Sequence, residues 1–386
     1  MTTVGPRSPE AVSPDDFSWL PDVVDLSADE IAAIGLELDD IYETVYQDLG
    51  AADEKYIRGL IKTQRSMALA SRVAMCAGGW MQLSKGSPAI RRASWALTGA
   101  GMVGLGLAKI LENMEVGHNV MHGQWDWMQD PEINSTVWEW DNVCPADQWK
   151  HGHNVLHHTW TNVLGMDRDI GYEIFRITPE QPWHPAYLAQ PVYNAILMLL
   201  FEWGVGVHEV DIVGLRTGKL TAEQRAGELK KLKQFSQKAG RQIAKDYVLW
   251  PLLAGPGAPR AAAANAIANV MRNVWTYVII YCGHFPDDTY VFPKESTKGE
   301  SRGAWYLRQI LGSANIDGGK TFNVMSGQLS HQIEHHLFPD MPSNRLPGVA
   351  PRVRSVCERY GVPYNHGNLG QQFGSVVRKI VRYSMP

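Results

Sequence analysis

Three short windows hold eight of the chain's 13 histidines: His118-Asn-Val-Met-His122, His153-Asn-Val-Leu-His157-His158 and His331-Gln-Ile-Glu-His335-His336. An even spread over 386 residues would leave fewer than one histidine in windows this short, so the clustering needs a cause. On a helix, positions i and i+4 share a face. His118/His122, His153/His157 and His331/His335 therefore each aim two imidazoles at one point. His158 and His336 stand about 100° further round and can reach a second point. The first two windows echo each other, Gly117-His-Asn-Val-Met-His against Gly152-His-Asn-Val-Leu-His. Neutral imidazole suits iron, zinc, copper and nickel. One zinc takes about four ligands, so eight imidazoles are too many for one ion and about right for two. The spacing predicts a dinuclear, histidine-rich centre assembled from three distant helical segments. His151, His184, His208 and His366 fall outside the pattern and read as ordinary structural histidines.

The rest of the chain must be able to bury such a centre. Hydrophobic residues make up 45% and charged residues 20%, which excludes an extended disordered chain. A formal charge of −4 argues against a dedicated nucleic-acid binder. The mean hydropathy of −0.23 excludes a chain that is mostly membrane-embedded, but not one with a few spans. Residues 1–26, rich in Pro, Ser and Asp, are expected to be a disordered arm without a signal peptide. Ser27-x-x-Glu30 is a capping box that opens an amphipathic helix carrying Leu38, Ile41 and Val45. The main domain is expected over 27–386.

A membrane helix needs roughly 20 mostly apolar residues. Residues 93–108 contain no charge, and Arg91-Arg92 before them favour that end being cytoplasmic. The stretch 67–83 is apolar but carries Arg72, and 185–207 is interrupted by Glu202. Residues 247–259 and 273–282 flank an Ala-rich stretch with Arg260 and Arg272. None is a clean span. Residues 217–245 are charged and helix-favouring, and read as a solvated helix. Strand signals are few, so the class is all-α. Cys76, Cys144, Cys282 and Cys357 are far apart and suit reduced core thiols in a cytosol-facing setting.

Spacing also excludes alternatives. A carboxylate-bridged di-iron bundle uses Glu-x-x-His on two helices, and only Glu115-Val-Gly-His118 fits. Cys282-Gly-His284 lacks the second half of a Rieske motif. His208-Glu209 lacks the second His of HExxH, and no GxGxxG, P-loop or GxSxG occurs. Reducing equivalents must come from outside the chain.

With QIEHHLFP at 332–339, the three boxes resemble those of the membrane fatty acid desaturases. The similarity is strongest to the actinobacterial membrane acyl-CoA Δ9-desaturases. It is carried by ENMEVGHNVMHGQWDWM (112–128), HNVLHHTWTNVLGMD (153–167), CGHFPD (282–287), WYLRQILGSAN (305–315) and HQIEHHLFPDMPSNRL (331–346). The resemblance implies about four transmembrane helices in the plasma membrane and a cytosolic helical cap holding two irons. The implied ligands are His118, His122, His153, His157, His158, His331, His335 and His336. His284 is added as the ligand between the second and third boxes. At the third box, Gln332 fits the QxxHH form of front-end desaturases. His331 gives HxxxHH instead, and is the preferred ligand of the two. No catalytic side chain beyond the metal site is implied.

The implied reaction is oxygen-dependent desaturation of a long-chain fatty acyl-CoA, with O2 as co-substrate. Electrons would come from a separate ferredoxin or flavin-containing NADPH reductase, since no His-Pro-Gly-Gly heme segment is present. A hydroxylase or acetylenase on the same site, or a non-catalytic metal-binding protein, are the competing readings. Imidazole ligands need hydrogen-bonded support. The candidates near the boxes are Glu115, Asn119, Asn154 and Glu334, with Asp167 and Asp169 beside them. Trp residues near the first two boxes are candidates for an acyl tunnel or for core. Lys150, Arg302, Arg308 and Arg345 are candidate contacts for an anionic head group.

Overall fold

The computed structural model describes residues 19–22, 24–83 and 87–386, and it is mostly helical. The capping box forms as expected. The Glu30 amide donates to Ser27 Oγ at 3.3 Å, and the Ser27 amide donates to the Glu30 carboxylate at 2.8 Å. It opens α1 (Ala28–Gln47), whose buried stripe is Ile31, Ile34, Leu38 and Ile41. Most of the expected disordered arm lies outside the described residues. Its last part does not follow the expectation: Val24 is buried and Trp19 packs edge-on against Phe292.

Two helical hairpins form a stem. α2 (Ala51–Trp80) and α3 (Pro88–Leu111) run antiparallel and close together because their contact face is built from small residues. A Cβ on Gly78 would meet Thr98 Oγ1 at 2.7 Å, and one on Gly101 would meet the Ser71 carbonyl at 2.5 Å. After a short helix, α4 (Ala146–Lys150), the chain forms α5 (Gln190–Leu199) and α6 (Phe201–His208), bent by 100° at Leu200. The second hairpin begins with the charged helix α7 (Ala222–Ile243), the solvated segment expected from sequence. It runs on through a wide turn, Ala244–Leu249, into α8 (Trp250–Leu253), and α9 (Ala258–His284) returns.

By length and composition, Pro88–Met121 could cross a membrane, and the bent pair Pro185–Leu199 and Phe201–His208 passes only if taken together. The cationic residues that interrupt the other apolar stretches all find partners. Arg72 donates to Asp246 Oδ1 from both terminal nitrogens at 3.0 Å, and Lys109 donates to Asp246 Oδ2 at 2.9 Å. Arg272 pairs with Glu202. Arg260 donates to Ser94 Oγ at 2.8 Å and lies 3.8 Å over the Trp95 ring. Arg91 and Arg92 stand at the opposite end of α3 from His118. If α3 crosses a membrane, the Arg91-Arg92 end and the histidine site face opposite sides.

The cap contains α1, α10 (Arg302–Leu311), α11 (Gln332–Leu337), α12 (Leu346–Tyr360) and α13 (Leu369–Arg382). Its core packs Ile31, Ile34 and Leu38 against Leu307, Ile310, Leu337, Leu346 and Val353. α1 and α10 cross at Gly35 and Gly303, where a Cβ on Gly303 would lie 2.0 Å from the Ile31 carbonyl oxygen. One pair of short parallel strands, β1 (Asn315–Asp317) and β2 (His366–Asn368), ties the approach to the third box to the C-terminal helix.

Candidate metal centre

The first box follows a wide turn and itself sits on an α-turn, the His122 amide donating to the His118 carbonyl at 3.1 Å, whereas the second box lies on a wide turn. Glu112–His118 continues α3 as a wide π-helical turn, and His151–His157 continues α4 in the same way. Such turns are often found at functional sites. Widening the turn beyond 3.6 residues lets positions i, i+4 and i+5 share one face. His153 and His157 thus meet beside Asp169, while His158 opens the next α-turn and lies against His336 and His122. The echoed glycines have a packing role. A Cβ on Gly117 would meet the Glu112 carbonyl at 2.8 Å and Trp140 Cβ at 2.9 Å, and one on Gly152 would meet Glu209 Oε1 at 2.3 Å.

The three boxes and the end of α9 meet in one buried cluster. Ligand atoms of His118, His122, His153 and His335 lie within 4.8 Å of one another, as do those of His157, His284 and His336. His158 bridges the two groups. Its ring stacks on His336 at 4.3 Å and meets His122 edge-on at 4.6 Å. A third set, His153, His157 and Asp169, adds a carboxylate at the margin.

His331 is not in this cluster, against expectation. Its Nδ1 faces Ser330 Oγ at 3.2 Å, and the ring lines a separate surface recess with Asp317, Tyr364 and His366. The physical reason is local. The chain enters the third box through a tight turn, Leu329–His331, and α11 begins at Gln332. His331 therefore lies before the helix whose inner face carries His335. Gln332 takes the inward place, with its Nε2 2.9 Å from His284 Nε2.

The cluster is chemically unfinished as protein alone. His122 Nε2, His153 Nε2, both nitrogens of His158 and His335, His284 Nδ1, His336 Nε2 and Gln332 Oε1 are buried without a hydrogen-bond partner. A buried polar atom left unpaired costs about 1–3 kcal/mol, and here the orphans converge. That donor set, neutral nitrogens with one amide oxygen, suits borderline divalent metals such as iron. Burial pushes the His158, His335 and His336 imidazoles well below the ordinary histidine range, which keeps their lone pairs free. His157 is the exception: burial pulls it down, but the Asp167 carboxylate outweighs that and leaves it raised.

Hydrogen bonds orient the rings. Asp167 reaches His157 Nδ1 at 3.0 Å and is fixed by the Asn162 and Asp169 amides at 2.8 and 2.9 Å. Asn119 Oδ1 lies 3.0 Å from His118 Nδ1, and Asn119 Nδ2 donates to Glu115 Oε2 at 3.4 Å. Glu115 is held by Tyr56 and Ser343 at 2.6 and 2.7 Å, so it acts on His118 through Asn119. Glu334 and Asn154 touch no imidazole. Glu334 accepts from Tyr364 Oη at 2.7 Å and Asn315 Nδ2 at 2.9 Å, which fixes α11 on the strand pair. Asn154 donates to the Met121 carbonyl at 2.9 Å and ties the second box to the first.

Two contacts had no sequence signal. Gln309 Oε1 and Thr161 Oγ1 lie 3.1 and 3.2 Å from His336 Nδ1. His208, expected to be structural, lies 3.6 Å from Asp169 at the margin of the site.

Beside the cluster is a narrow, partly enclosed cavity of about 50 Å³. His118, His153, His157 and His284 form part of its wall, with apolar Met114, Phe201, Val205, Ile280 and Leu329 and the polar Asn113, Asn142 and Arg272. Trp140 and Trp149 line it too. The four cations considered for a head group are engaged internally. Lys150 donates to the Ser135 carbonyl, Arg302 pairs with Asp39, Arg308 with Glu300, and Arg345 with Asp48 and Asp53.

Residues 93–368 match the family described as fatty acid desaturase. Over 361 residues the chain is 45% identical to an NADPH-dependent stearoyl-CoA 9-desaturase of Mycobacterium tuberculosis, covering 92% of this chain and 81% of that protein. It is 28% identical over 269 residues to an sn-1 linoleoyl-lipid 6-desaturase of Synechocystis, covering 68% of this chain and 74% of the relative. An acyl-lipid (8-3)-desaturase of Mortierella alpina is 22% identical over 242 residues, covering 60% and 54%.

Proposed function

The chain belongs to the fatty acid desaturase family, and on that premise we propose that it puts a cis double bond into a stearoyl-type acyl-CoA at position 9. The observation that carries this reading is the buried cluster of eight imidazoles, most with orphaned nitrogens, four of which wall a narrow cavity. His118, His122, His153, His157, His158, His284, His335 and His336 would hold two irons, with Gln332 in place of His331. Iron held there would activate O2 for removal of hydrogen from an unactivated C–H bond.

The chain's own residues do the rest. Asp167 fixes the His157 ring, and Asn119, backed by Glu115, fixes His118. The apolar part of the cavity wall would take the acyl segment beside the histidines and position one carbon pair for attack. The reading places the stem in the plasma membrane. α2, α3, α8 with the end of α7, and α9 would make four crossings, and Leu69, Val73, Trp95, Val103, Leu249 and Leu252 are exposed apolar residues on them. The histidine site would face the cytoplasm. Arg91 and Arg92 oppose that orientation, but Lys55, Arg58, Lys62 and Arg65 of α2 and the basic residues of α7 outweigh them. The domain would run over 27–386, extended by the packed residues from Trp19. Electrons would reach the site from a separate ferredoxin or flavin-containing reductase using NADPH.

The test is fatty-acid analysis of a host expressing the chain with a ferredoxin and its reductase, double bonds being located by mass spectrometry. A 9-unsaturated acid that disappears with His157→Ala is expected. A hydroxy acid at the same carbon would transfer the reading to a hydroxylase.

A further inference from the structure

Desaturation that turns O2 into two waters takes two hydrogens from the chain and needs two more electrons and two more protons. The electrons must cross from a carrier outside, because no nucleotide, flavin or heme motif occurs in the sequence. Resting on the reading above, we propose that the outer face of α7 is the docking surface for an acidic one-electron carrier protein, with Trp140 and Trp149 as the packed path inward.

Four observations meet on this helix. First, Lys230, Lys233, Gln237 and Arg241 share one side of α7 by their spacing, and all four are exposed. The neighbouring Lys231 and Lys238 are paired with Glu228 and Glu139, whereas Lys230, Lys233 and Arg241 have no such partner among the described residues. Glu223, at the start of the helix, is the one acidic group on that side. The patch is basic in a chain whose formal charge is −4.

Second, α7 is nearly bare of packing along its outer side: of its 22 residues only Ala239 and Gln242 are buried. Third, its inner side is joined to the metal cluster. Gln148 of α4 donates to the Lys231 carbonyl and to Gln234 at 3.1 Å. The Lys238 ammonium lies 6.0 Å over the Trp140 ring, Trp140 is 5.2 Å from Trp149, and Trp149 stacks on His153 at 4.4 Å and 24°. Ring contacts therefore run from Trp140, beneath Lys238 on the inner side of α7, through Trp149 to a cluster imidazole. Fourth, the helix stands away from the apolar belt. Ile243 is an exposed apolar residue at the end of α7, followed by Tyr247, Val248 and Leu249. At 1.5 Å per residue, Lys233 and Lys230 are about 15 and 20 Å further along the axis, while Arg241 lies beside that end. That separation favours a soluble acidic partner over lipid head groups.

The perturbation is the triple charge reversal Lys230→Glu, Lys233→Glu and Arg241→Glu in the full chain, iron-loaded and in nanodiscs. The probe is an acidic [2Fe–2S] ferredoxin kept reduced by NADPH and its reductase. Stopped-flow reduction of the iron centre is followed against ionic strength, with dithionite reduction as the control. In the unaltered chain the rate with ferredoxin should fall as salt rises. In the variant it should be about tenfold slower or more at low salt and nearly salt-independent, with dithionite reduction unchanged.

Equal ferredoxin rates in the two proteins would overturn the proposal. So would failure of the ferredoxin to reduce the unaltered chain, or dithionite reduction slowed as much as ferredoxin reduction. Loss of binding to phosphatidylglycerol vesicles with an unchanged ferredoxin rate would overturn it in favour of a lipid-facing surface. Trp149→Phe and Trp140→Leu refine the path: the second should slow ferredoxin reduction more than dithionite reduction, and equal slowing would remove Trp140 from it. If dithionite-reduced enzyme makes no unsaturated product, the functional reading fails, while the reduction rates still decide the docking surface.

Discussion

Asp246 is the group on which the stem's internal charge balance turns, and replacing it by alanine gives a sharp test. Its carboxylate receives both terminal nitrogens of Arg72 at 3.0 Å and the Lys109 ammonium at 2.9 Å, and the three side chains are 0%, 7% and 2% exposed. In Asp246→Ala, Lys109 keeps Asp141 at 3.6 Å. Arg72 keeps only the face of Trp250 at 5.2 Å. The cost therefore falls on one orphaned guanidinium. Removing one partner of a buried pair costs about 3–5 kcal/mol. At about 2 °C per kcal/mol for a chain of this size, the melting temperature should fall by roughly 6–10 °C. The assay is thermal unfolding in detergent followed by tryptophan fluorescence. Arg72→Leu combined with Asp246→Ala removes the stranded charge and should restore more than half of the loss. A single-variant loss under about 1 kcal/mol, as for exposed pairs, or a double variant no better than the single, would refute the claim that the trio is dry and mutually compensated.

Four further outcomes follow from the site and the cap. Asp167→Asn should weaken iron retention by about 10–100-fold, read as iron per purified chain after graded chelation, whereas His331→Ala should leave the iron content unchanged. His335→Ala should lose iron, in contrast to His331→Ala four residues before it. For the metal-free protein, His158, His335 and His336 are held well below the unfolded value near 6.5, and His331 is held at about 4. Groups with depressed basicity leave stability complete above pH 6.5 and remove it as pH falls from there, by about 1.4 kcal/mol per pH unit for each imidazole. His157, raised by Asp167, works in the opposite sense, so the melting temperature should drop on acidification below pH 6.5, and a flat profile down to pH 5 would contradict the burial argument. Gly303→Ala, which would place a Cβ 2.0 Å from the Ile31 carbonyl, should cost about 1–3 kcal/mol in thermal unfolding while the iron content is retained.

The histidine boxes were legible because their chemistry is written in spacing. Two imidazoles four residues apart face one way on α or π geometry alike, so His118 pairs with His122 on an α-turn and His153 with His157 on a wide one. His158 was expected to reach a second point with His336, and it stacks on that ring; the wide turn before it was not legible, because nothing in residues 151–157 announces one. His331 was misread for a related reason. The sequence supports a helix through the whole third box, but the fold starts that helix one residue later. Gln309 and Thr161 lie far from His336 in the chain and reach it only through the packing of α10 and of the turn after the second box. The helical class and the solvated α7 were legible from composition and periodicity. The stem helices with Arg72 and Arg272 were hard to read because hydropathy scores both as charges, and cannot see that each faces a carboxylate on another segment.

The same pairing argument explains why the stem can be so polar and still serve as the base of a dry site. A charge in a low-dielectric region is tolerated when its partner and remaining hydrogen bonds are in place. Arg272, with Glu202 opposite and Asn273 at 3.0 Å, meets that condition at the cavity wall. The histidine cluster does not meet it from protein groups alone. Its carboxylates, Asp167 and Asp169, lie to one side of it, and the inner rings face only one another. Neutral imidazoles with converging lone pairs are therefore the least satisfied part of the interior. Coordination would relieve several orphaned nitrogens at once, and the binding energy would add directly to folding stability. The pH and chelation experiments thus report on one quantity, the free energy stored in unpaired nitrogens. Protons can claim these nitrogens only by charging a buried ring, whereas a metal can claim them without disturbing the packing of α3, α4, α9 and α11.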